Sequence, residues 1–377
     1  MKVGFLVNPI AGMGGGVALK GTDGAETLRR ARELGAVPRA FERAALALEA
    51  ASPLSPDVTF LACGGGMGAE LLRKWGLPFE VVYTPPFPDT SSEDTRRAVW
   101  AMRGAGAALL LFAGGDGTAR DVCAALEGGA AGERTSLPVI GVPAGVKIHS
   151  AVYGITPRRS GQLLRKFMAG QVRDYTQAEV MDIDEEAFRE GRVDARLYGY
   201  LTVPRDRSCL QDRKSGGMPV DSYDRTAIGA WVAKEMRPGR LYLVGSGSTT
   251  QAVMDALRLS GTLLGVDAVK DRRLMGSDLT ERQLLELVEP GNTTLIVTAT
   301  GGQGHLLGRG NQQLSPAVLR AVGPGNIMVI ATPEKLNGLF LRPLRVDTGD
   351  AELDRALCGY AAVVTGWSRR QMHRVAC

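Results

Sequence analysis

Three observations predict a two-domain α/β fold for this chain of 377 residues. Short apolar runs alternate with helical stretches up to about residue 170, which is typical of a parallel sheet with helices on both faces. The runs are continuously apolar, as in strands that are buried on both sides. At roughly 150 residues per domain, the length favours two domains. The sequence therefore predicts an N-terminal parallel-sheet, Rossmann-like domain and a second domain after it.

Five strands and five helices are predicted in the first domain. The strands lie at 3–7, 58–62, 79–83, 108–112 and 139–142, and the helices at 26–34, 69–75, 93–102, 119–127 and 162–168. Ser91 and Asp94 form a capping-box variant that marks the start of the third helix. Ligands of such sheets bind at the carboxyl ends of the strands, so the loops after the strands are expected to carry the chemistry.

The pattern changes near residue 170, where we predict a domain boundary. Charged residues are dense over 182–196, and 205–219 is a predicted polar loop. Further strands are predicted at 197–203, 240–244, 295–298, 327–331 and 361–365, and further helices at 223–236, 250–259 and in the C-terminal tail. We expect domains at 1–170 and 171–345. The sequence does not decide whether the C-terminal segment, 346–377, packs back onto the first domain.

Composition and charge exclude several classes of protein. Hydrophobic residues make up 44% and charged residues 23% of the chain, which excludes disorder, a coiled coil or a collagen-like fibre as a description of the whole. The net charge of +5 is not concentrated in a basic run, so a small anionic substrate is favoured over nucleic acid. Five widely spaced cysteines argue against disulfides and a cysteine-based zinc site. The apolar stretches are too short for a membrane span or a signal peptide, so we expect a cytoplasmic protein without a membrane partner.

The first glycine-rich loop runs from Asn8 to Gly16, directly after the first strand. Its glycines, among them Gly14 and Gly15, permit a turn whose backbone N–H groups converge on an anion, and Lys20 would add a positive charge. The alternative is a flexible connection between a strand and a helix.

The second glycine-rich loop contains Gly64, Gly65 and Gly66, which with Ala69 match a form of the dinucleotide-binding fingerprint. That fingerprint expects an acid about 20 residues further on, at the end of the next strand. Glu80 stands near that distance but begins its strand instead. A tight turn is therefore favoured, whereas a true fingerprint would indicate a dehydrogenase that uses NADH.

The strongest signal is the run Gly114, Gly115, Asp116, Gly117 and Thr118, between an apolar strand and a helix. The first two glycines let the chain reverse, the third leaves room for a phosphate or sugar, and Thr118 is predicted to cap the helix. A carboxylate repels an anion, so Asp116 suits this place only if it takes a proton from a hydroxyl or organises Mg²⁺ on a phosphate. The pattern favours one of these two roles for Asp116, which is the candidate catalytic residue; an acid in an ordinary turn is the alternative.

Together with Asn8 and Pro9, the Gly-Gly-Asp-Gly-Thr motif resembles the superfamily of NAD kinases, diacylglycerol kinases and sphingosine kinases. Residues 141–150 are similar to the segment that follows this motif in ATP–NAD kinase-like proteins, and Gly-Ser-Gly-Ser-Thr at 245–249 is similar to the Thr-Gly-Ser-Thr core that contacts NAD in NAD kinases. The resemblance implies an α/β catalytic domain and a β-rich second domain that completes the nucleotide site. It also implies ATP and NAD as substrates, Mg²⁺ or another divalent cation, and a homodimer or homotetramer.

The resemblance and the glycine-rich loops together define the candidate site. The residues expected to bind nucleotide are Asn8, Gly14, Gly15, Gly64, Gly65, Gly66, Gly114, Gly115, Gly117, Thr118, Gly245, Ser246, Gly247, Ser248 and Thr249. Further candidates, each of which also suits an ordinary structural role, are Lys20, Asp121, Lys147, His149 and Asp267. Asp121 stands where the lipid-kinase form of the motif has an acid, and Asp267 follows a strand-like run at 263–266. The metal ligands stay unassigned.

Two departures from NAD kinases concern the acceptor. No Asn of this chain precedes an acid, although NAD kinases hold the acceptor nucleoside with such a pair, and Thr250 and Gln251 replace the usual aromatic after Gly-Ser-Thr. We predict a kinase that transfers a phosphoryl group from ATP or polyphosphate to the 2′-hydroxyl of NAD, giving NADP. A kinase of another small hydroxyl compound or lipid, a non-catalytic nucleotide-binding regulator and a dehydrogenase are the alternatives.

Overall fold

A computed structural model describes residues 1–19, 25–87, 89–127, 137–146, 148–183, 195–206, 209–210 and 221–377. Its contacts divide the chain into two compact units. Unit 1 consists of Met1–Met13, Gly21–Arg32 and Val37–Arg213, and unit 2 consists of Gly14–Lys20, Glu33–Ala36 and Lys214–Cys377.

Unit 1 is built on a parallel sheet with helices around it. Its strands are β1 (Lys2–Val7), β2 (Thr59–Cys63), β3 (Phe79–Tyr83), β4 (Leu109–Gly114) and β5 (Val139–Pro143), paired in the order β3-β2-β1-β4-β5. The helices are α1 (Ala25–Glu33), α2 (Ala40–Ala51), α3 (Ala69–Lys74), α4 (Ser92–Gly104), α5 (Asp116–Glu127) and α6 (Pro157–Met168). Every pairing in this sheet is parallel, which confirms the predicted α/β class.

The packing of β1 explains why its sequence is apolar without interruption. Phe5 is fully buried in one hydrophobic cluster, where its ring meets that of Phe60 edge-on. The next residue, Leu6, is fully buried in a second cluster that contains Phe112. Because successive strand residues point to opposite faces, the two clusters cover both sides of the sheet.

Helices α2 and α5 of unit 1 differ from the sequence prediction. The alanine-rich helix α2 was not predicted, because Arg39 before it offers no side-chain cap and the sequence gives no start signal. Helix α5 begins at Asp116 rather than at 119, so Thr118 lies inside the first turn and the prediction that it caps the helix is wrong. The capping box of Ser91 and Asp94 at the start of α4 is confirmed.

An antiparallel hairpin completes unit 1. Its strands are β6 (Tyr175–Ile183), which was not predicted, and β7 (Ala195–Pro204). Val180 and Leu201 are buried in the same cluster as Val122 of α5. This packing explains why unit 1 continues to Arg213, past the boundary expected near residue 170.

Unit 2 contains a mixed, strand-rich sheet. Its strands are β8 (Leu241–Val244), β9 (Asp267–Lys270), β10 (Arg273–Gly276), β11 (Thr293–Thr298), β12 (His305–Leu307), β13 (Ile327–Ile330), β14 (Leu344–Val346), β15 (Gly359–Gly366) and β16 (Arg369–Ala376), in the order β10-β9-β8-β11-β13-β15-β16-β14-β12. The helices are α7 (Asp221–Glu235), α8 (Ser248–Leu257), α9 (Glu281–Leu287), α10 (Pro316–Val322), α11 (Pro333–Asn337) and α12 (Ala351–Leu357). This sheet confirms the prediction that the second part of the chain is rich in β structure.

The C-terminal segment belongs to unit 2. Strand β15 pairs in parallel with β13, and β16 pairs with both β15 and β14. Strand β16 was not predicted because it is rich in arginine and most of its side chains are exposed, so it lacks the apolar run of a buried strand. Among the residues that the structure describes, no helix has the length and apolar character needed to cross a bilayer.

Candidate active site

The motif residues of unit 1 lie where the carboxyl ends of three neighbouring strands meet. Asn8 follows β1, Gly115 follows β4 and Ala144 follows β5, and these strands are adjacent in the order β1-β4-β5. The backbone N–H of Asn8 donates to the carbonyl of Ala113 at 2.9 Å. The backbone N–H groups of Ala144 and Gly145 both donate to the carbonyl of Gly114. The three loops therefore form one connected edge of the sheet.

Asp116 is anchored by the loop that follows β5. Its Oδ2 accepts the backbone N–H of His149 at 2.7 Å, and its Oδ1 accepts that of Ser150 at 3.0 Å. The Nδ1 atom of His149 lies 3.1 Å from Oδ2. Because a carboxylate only accepts hydrogen bonds, this contact requires the proton of the ring on Nδ1. The structure thus brings the predicted residues Asp116 and His149 together as a hydrogen-bonded pair.

Burial limits access to this pair. Asp116 is 7% exposed and His149 is 6% exposed. A carboxylate so enclosed needs hydrogen-bond donors, and the two backbone N–H groups supply them. The same contacts fix the backbone of residues 149 and 150 to the start of α5. Asp116 therefore holds the site together, whatever further role it has in chemistry.

Asn8 connects the first loop to the motif. Its Nδ2 donates to Thr118 Oγ1 at 2.9 Å, and its Oδ1 accepts the backbone N–H of Ile10 at 3.2 Å. The hydroxyl of Thr118 thus faces the end of β1 instead of capping α5. A sequence reading could pair these residues only through the resemblance, because they are 110 positions apart.

Two motif glycines are required by close packing. A Cβ on Gly114 would lie 2.5 Å from Thr118 Cβ, and one on Gly115 would lie 3.1 Å from Gly145 Cα. Gly115 is also fixed by Tyr153, whose hydroxyl donates to its carbonyl. Gly117 is the second residue of α5 and is half-buried. Side chains at 114 and 115 would therefore push apart the loops that surround Asp116.

The second loop is a tight turn next to the first one. Gly65 begins a short 3₁₀ turn with φ +60°, and a Cβ on Gly66 would lie 3.6 Å from Pro9. A Cβ on Gly64 would meet the side chain of Thr84 at 2.8 Å. Glu80 is the second residue of β3 and pairs with Lys2, so it does not stand where a ribose-binding acid would. The geometry favours the tight turn over the dinucleotide fingerprint.

The glycine-rich end of the first loop belongs to unit 2. Gly14 accepts the backbone N–H of Leu19, and the carbonyl of Gly16 accepts that of Glu281. Gly15 lies directly against Gln312, because a Cβ there would stand 2.8 Å from the Cβ of that residue. Asn8 and Gly14–Gly15, which were expected to form one anion-binding turn, are thus divided between the two units.

The Gly-Ser-Gly-Ser-Thr loop of unit 2 joins β8 to α8. Gly247 has φ +130°, and a Cβ there would lie 2.5 Å from Thr298 Cγ2, so no other residue fits. Ser246 Oγ donates to the carbonyl of Gly310 at 3.2 Å, which ties this loop to the glycine-rich segment after β12. Ser246, Gly247 and Ser248 are half-buried, whereas Thr249 is fully buried. Residues 246–248 are therefore the part of the loop that is open to a ligand.

Lysine 335 is a polar residue of this region that sequence reasoning missed. It lies in α11, and its Nζ donates to Thr249 Oγ1 at 2.8 Å and to Thr298 Oγ1 at 3.5 Å. The rule that ligands bind after parallel strands could have found it, because Lys335 closely follows β13.

Two acidic candidates have structural partners. Asp267 begins β9 instead of ending a strand, so the expectation for its position is wrong. It is 1% exposed and accepts from the backbone N–H groups of Thr262 and Asp278 and from the hydroxyl of Thr262, which braces that turn. Asp121 is buried and pairs with Arg96 at 3.5 Å. Lys20 and Lys147 lie outside the described residues.

The cysteines nearest to these loops are poor nucleophiles. Burial raises the pKa of Cys63, at the end of β2, to about 12. Burial and the neighbouring Glu127 raise the pKa of Cys123, in α5, to about 12. Both thiols therefore stay protonated at neutral pH, and a thiolate mechanism is not supported at this site.

In the described parts of the chain, no group of three or more His, Cys, Asp or Glu side chains could enclose a metal ion. Mg²⁺ commonly binds proteins through substrate phosphates and one or two carboxylates instead of a full protein cage.

Comparison with protein families assigns both parts of the chain. The model of the ATP-NAD kinase N-terminal domain matches residues 3–172, and that of the ATP-NAD kinase C-terminal domain matches residues 238–375. This chain belongs to the ATP–NAD kinase family. Comparisons with curated proteins and with solved structures gave no match.

Membership explains the arrangement in both units. The N-terminal match contains β1 to β5 and the Gly-Gly-Asp-Gly-Thr motif, and the C-terminal match contains the Gly-Ser-Gly-Ser-Thr loop and the strand-rich sheet. The predicted resemblance is confirmed over both domains, and a kinase is the class of enzyme to which it points.

Proposed function

We propose that this protein is a kinase that transfers the terminal phosphoryl group of ATP, or of polyphosphate, to the 2′-hydroxyl of NAD and so forms NADP. The observation that carries the proposal is the match of both ATP–NAD kinase domains, with the motif loop at the carboxyl edge of the unit 1 sheet. Parallel sheets bind their ligands at that edge.

In this mechanism the loops of unit 1 position the phosphates and the acceptor. Backbone N–H groups near Gly114 and Gly117 contact the nucleotide, and Asn8 keeps the loop after β1 against Thr118. Phosphoryl transfer needs little covalent chemistry from the protein, so most of the rate comes from positioning and electrostatics. Mg²⁺ bound with the donor would neutralise charge on the transferred phosphoryl group.

Asp116 is the residue that we propose to accept the proton of the acceptor hydroxyl. Each of its carboxylate oxygens already accepts one backbone N–H, and His149 contacts Oδ2 as well. The Oδ1 atom therefore has the larger remaining capacity to accept a hydrogen bond. As the hydroxyl oxygen forms its bond to phosphorus, the bond to the leaving nucleotide breaks and the proton passes to Asp116.

The non-catalytic alternative draws on the burial of Asp116, which is 7% exposed. On that reading the carboxylate only holds residues 149 and 150, and the protein binds nucleotide without turnover. The other kinase alternative draws on the missing Asn-acid pair, which leaves the acceptor open.

An acceptor panel tests the proposal. The purified protein is incubated with ATP and Mg²⁺ and with NAD, NADH, small polyols or a long-chain lipid alcohol, and both ADP release and NADP are measured. NADP formation with ADP release supports the proposal. ADP release with another acceptor supports a different kinase, and nucleotide binding without ADP release from any acceptor supports a regulator. A change in NADH absorbance without ATP would support a dehydrogenase.

A further inference from the structure

A cavity of about 710 Å³ lies at the amino ends of three parallel strands in unit 2. Strands β8, β11 and β13 are neighbours and pair in parallel. The cavity is lined by Arg240, which precedes β8, by Thr294 near the start of β11, and by Ile327, which begins β13. The loop at 245–249 and Lys335 follow these strands at their carboxyl ends, and none of these residues lines the cavity. The cavity is therefore separate from the candidate nucleotide site of this unit.

A gap between β13 and β15 gives the cavity its shape. These two described strands are in register at a single pair, Ile330 and Val364. Residues 327–329 of β13 and 360–362 of β15, which precede that pair, line the cavity instead. The two strands therefore leave a space inside the sheet.

Apolar and aromatic side chains from both faces of the sheet form the walls of this cavity. Trp231 and Tyr242 belong to the hydrophobic cluster on one face, and Leu306 and Val346 belong to the cluster on the other. The volume lies within the range of small-molecule sites, roughly 300–1,000 Å³. A ligand that reaches from one face to the other passes between two strands, which favours a slender chain over a ring.

Arg240 places a positive charge in the wall of the cavity. It is half-buried, and its Nε donates to Thr294 Oγ1 at 2.6 Å. Its Nη1 donates to the carbonyl of Gly291, and its Nη2 donates to the carbonyl of Thr293 and to Asn326 Oδ1. These acceptors are all neutral, so they orient the guanidinium without cancelling its charge. A guanidinium has five N–H donors, so one N–H of Nη1 remains for a further acceptor.

Two more arginines lie at the rim of the cavity. Arg237 and Arg370 are both exposed and line it. The guanidinium carbon of Arg370 lies 5.3 Å from the centre of the Trp231 ring, which holds this cation beside the aromatic wall. Glu235 is the acid of the lining, so three arginines stand against one carboxylate among the described lining residues. The polar side of the cavity therefore attracts an anion.

We infer that this cavity binds an organic acid with an unbranched apolar chain, such as a medium-chain fatty acid. The carboxylate contacts Arg240 and Arg370, because guanidinium groups match carboxylate geometry. The apolar chain lies in the gap between β13 and β15. This inference goes beyond the kinase reaction and does not depend on it, because the cavity uses neither Asp116 nor the loop at 245–249.

Calorimetry on the full chain tests this assignment with three probes. Decanoate carries both the chain and the carboxylate, decanol carries the chain without the charge, and inorganic phosphate carries charge without a chain. Decanoate is kept below the concentration at which it forms micelles. The decanoate titration is repeated with saturating ATP, which shows whether the two ligands share a site. We expect decanoate to bind about 10-fold or more tighter than decanol or phosphate, and ATP to leave its affinity unchanged.

Three variants separate the charge from the gap. Arg370→Gln removes a rim charge and leaves the contacts of Arg240 intact, so it should weaken decanoate by about 10-fold and decanol little. Ala362→Phe fills the gap from an exposed position of β15 and should weaken decanoate and decanol alike. Arg273→Gln is the matched control, because Arg273 is an exposed arginine of β10, at the far edge of the same sheet and outside the lining. Thermal unfolding of each variant shows that it is folded.

Several outcomes would overturn the assignment. They are a wild-type protein that binds no decanoate, decanol that binds as tightly as decanoate, displacement of decanoate by ATP, and an equal loss of affinity in Arg273→Gln. Folded Arg370→Gln and Ala362→Phe proteins that both bind decanoate normally would overturn it as well. NADP formation is assayed on the same wild-type sample. A protein that binds decanoate but forms no NADP retains this site and contradicts the proposed function, and the reverse result retains the function and loses the site.

Discussion

Two glycine-rich loops of this chain each connect a parallel strand to a helix, but the charged side chains beside them have opposite signs. Each follows a parallel strand and leads into a helix: Gly115 between β4 and α5 in unit 1, and Gly245–Gly247 between β8 and α8 in unit 2. The loop in unit 1 leads into a buried carboxylate, Asp116, which is bonded to N–H donors. The loop in unit 2 adjoins an ammonium, Lys335, which is bonded to hydroxyls.

The comparison shows that glycines create the space and that the neighbouring side chains decide the chemistry. In both loops a side chain on a key glycine would collide with a threonine, Thr118 or Thr298. A carboxylate can accept the proton of a hydroxyl, whereas the ammonium of Lys335 joins the segments that follow β8, β11 and β13. Predictions that change one loop at a time test this division of labour.

The largest effect is expected from Asp116→Asn. We expect kcat to fall by about 10²- to 10⁴-fold, the usual contribution of a general base. Steady-state kinetics of ADP release measures it. The variant also loses stability, because an amide N–H₂ would face one of the two backbone N–H donors.

Asp94→Asn is the control that separates stability from catalysis. Asp94 is 8% exposed, close to the 7% of Asp116, and it accepts from Tyr83, Ser91 Oγ and the backbone N–H of Ser91. We expect Asp94→Asn to lose stability without losing turnover per folded molecule. If both variants keep near-native kcat, the catalytic role of Asp116 is wrong. The loop in unit 1 would then have a structural role only.

The second effect is expected from a change at Gly247, in the loop between β8 and α8. Gly247→Ala should destabilise the protein by about 1–3 kcal/mol through overpacking against Thr298 Cγ2, with backbone strain added. Urea unfolding measures the loss. Thr298→Ser removes that methyl group, so the double variant should regain part of the stability. A Gly247→Ala protein as stable as the wild type would show that this loop tolerates a side chain.

A smaller effect is expected from Asn8→Ala in unit 1. The change removes the bond to Thr118 Oγ1 and the bond from Ile10 N–H, which should cost about 1–3 kcal/mol of stability together. Thermal unfolding measures it. Gln177→Ala, which removes an exposed bond to Thr202, serves as the control and should change stability little. Equal losses in the two variants would mean that Asn8 does not hold the motif loop.

The smallest effect is the pH dependence of the stability that Asp94 contributes. Burial opposes ionisation of Asp94, but hydrogen bonds from Tyr83 and Ser91 outweigh it and hold its pKa below the ordinary value. A depressed pKa in the folded state stabilises the protein above the unfolded pKa, and this contribution disappears as the pH falls through the folded pKa. The stability difference between wild type and Asp94→Asn should therefore shrink from pH 7 to below pH 4, where Asp carboxyls become protonated. A difference that stays constant over this range would contradict the assigned cause.

The sequence determined the class of fold and the family. Apolar runs predicted strands β1, β2, β4 and β5, because a strand that is buried on both faces is mostly apolar. Strand β3 was also predicted, although it is partly exposed and contains Glu80. The glycine motif with Asp116 predicted the kinase family, which both family models confirm. These signals are local, so they can be read without knowing which segments meet.

The tertiary structure decided what surrounds those residues. The anchoring of Asp116 by residues 149 and 150, the bond from Asn8 to Thr118 and the cluster at Lys335 each join segments that are at least 33 positions apart. Strand β16 escaped prediction for the same reason, because its pairing with β15 and β14 stabilises a polar segment that has no apolar pattern of its own. Hydrogen bonds and charges act between neighbours in space, and only the folded chain determines which residues are neighbours.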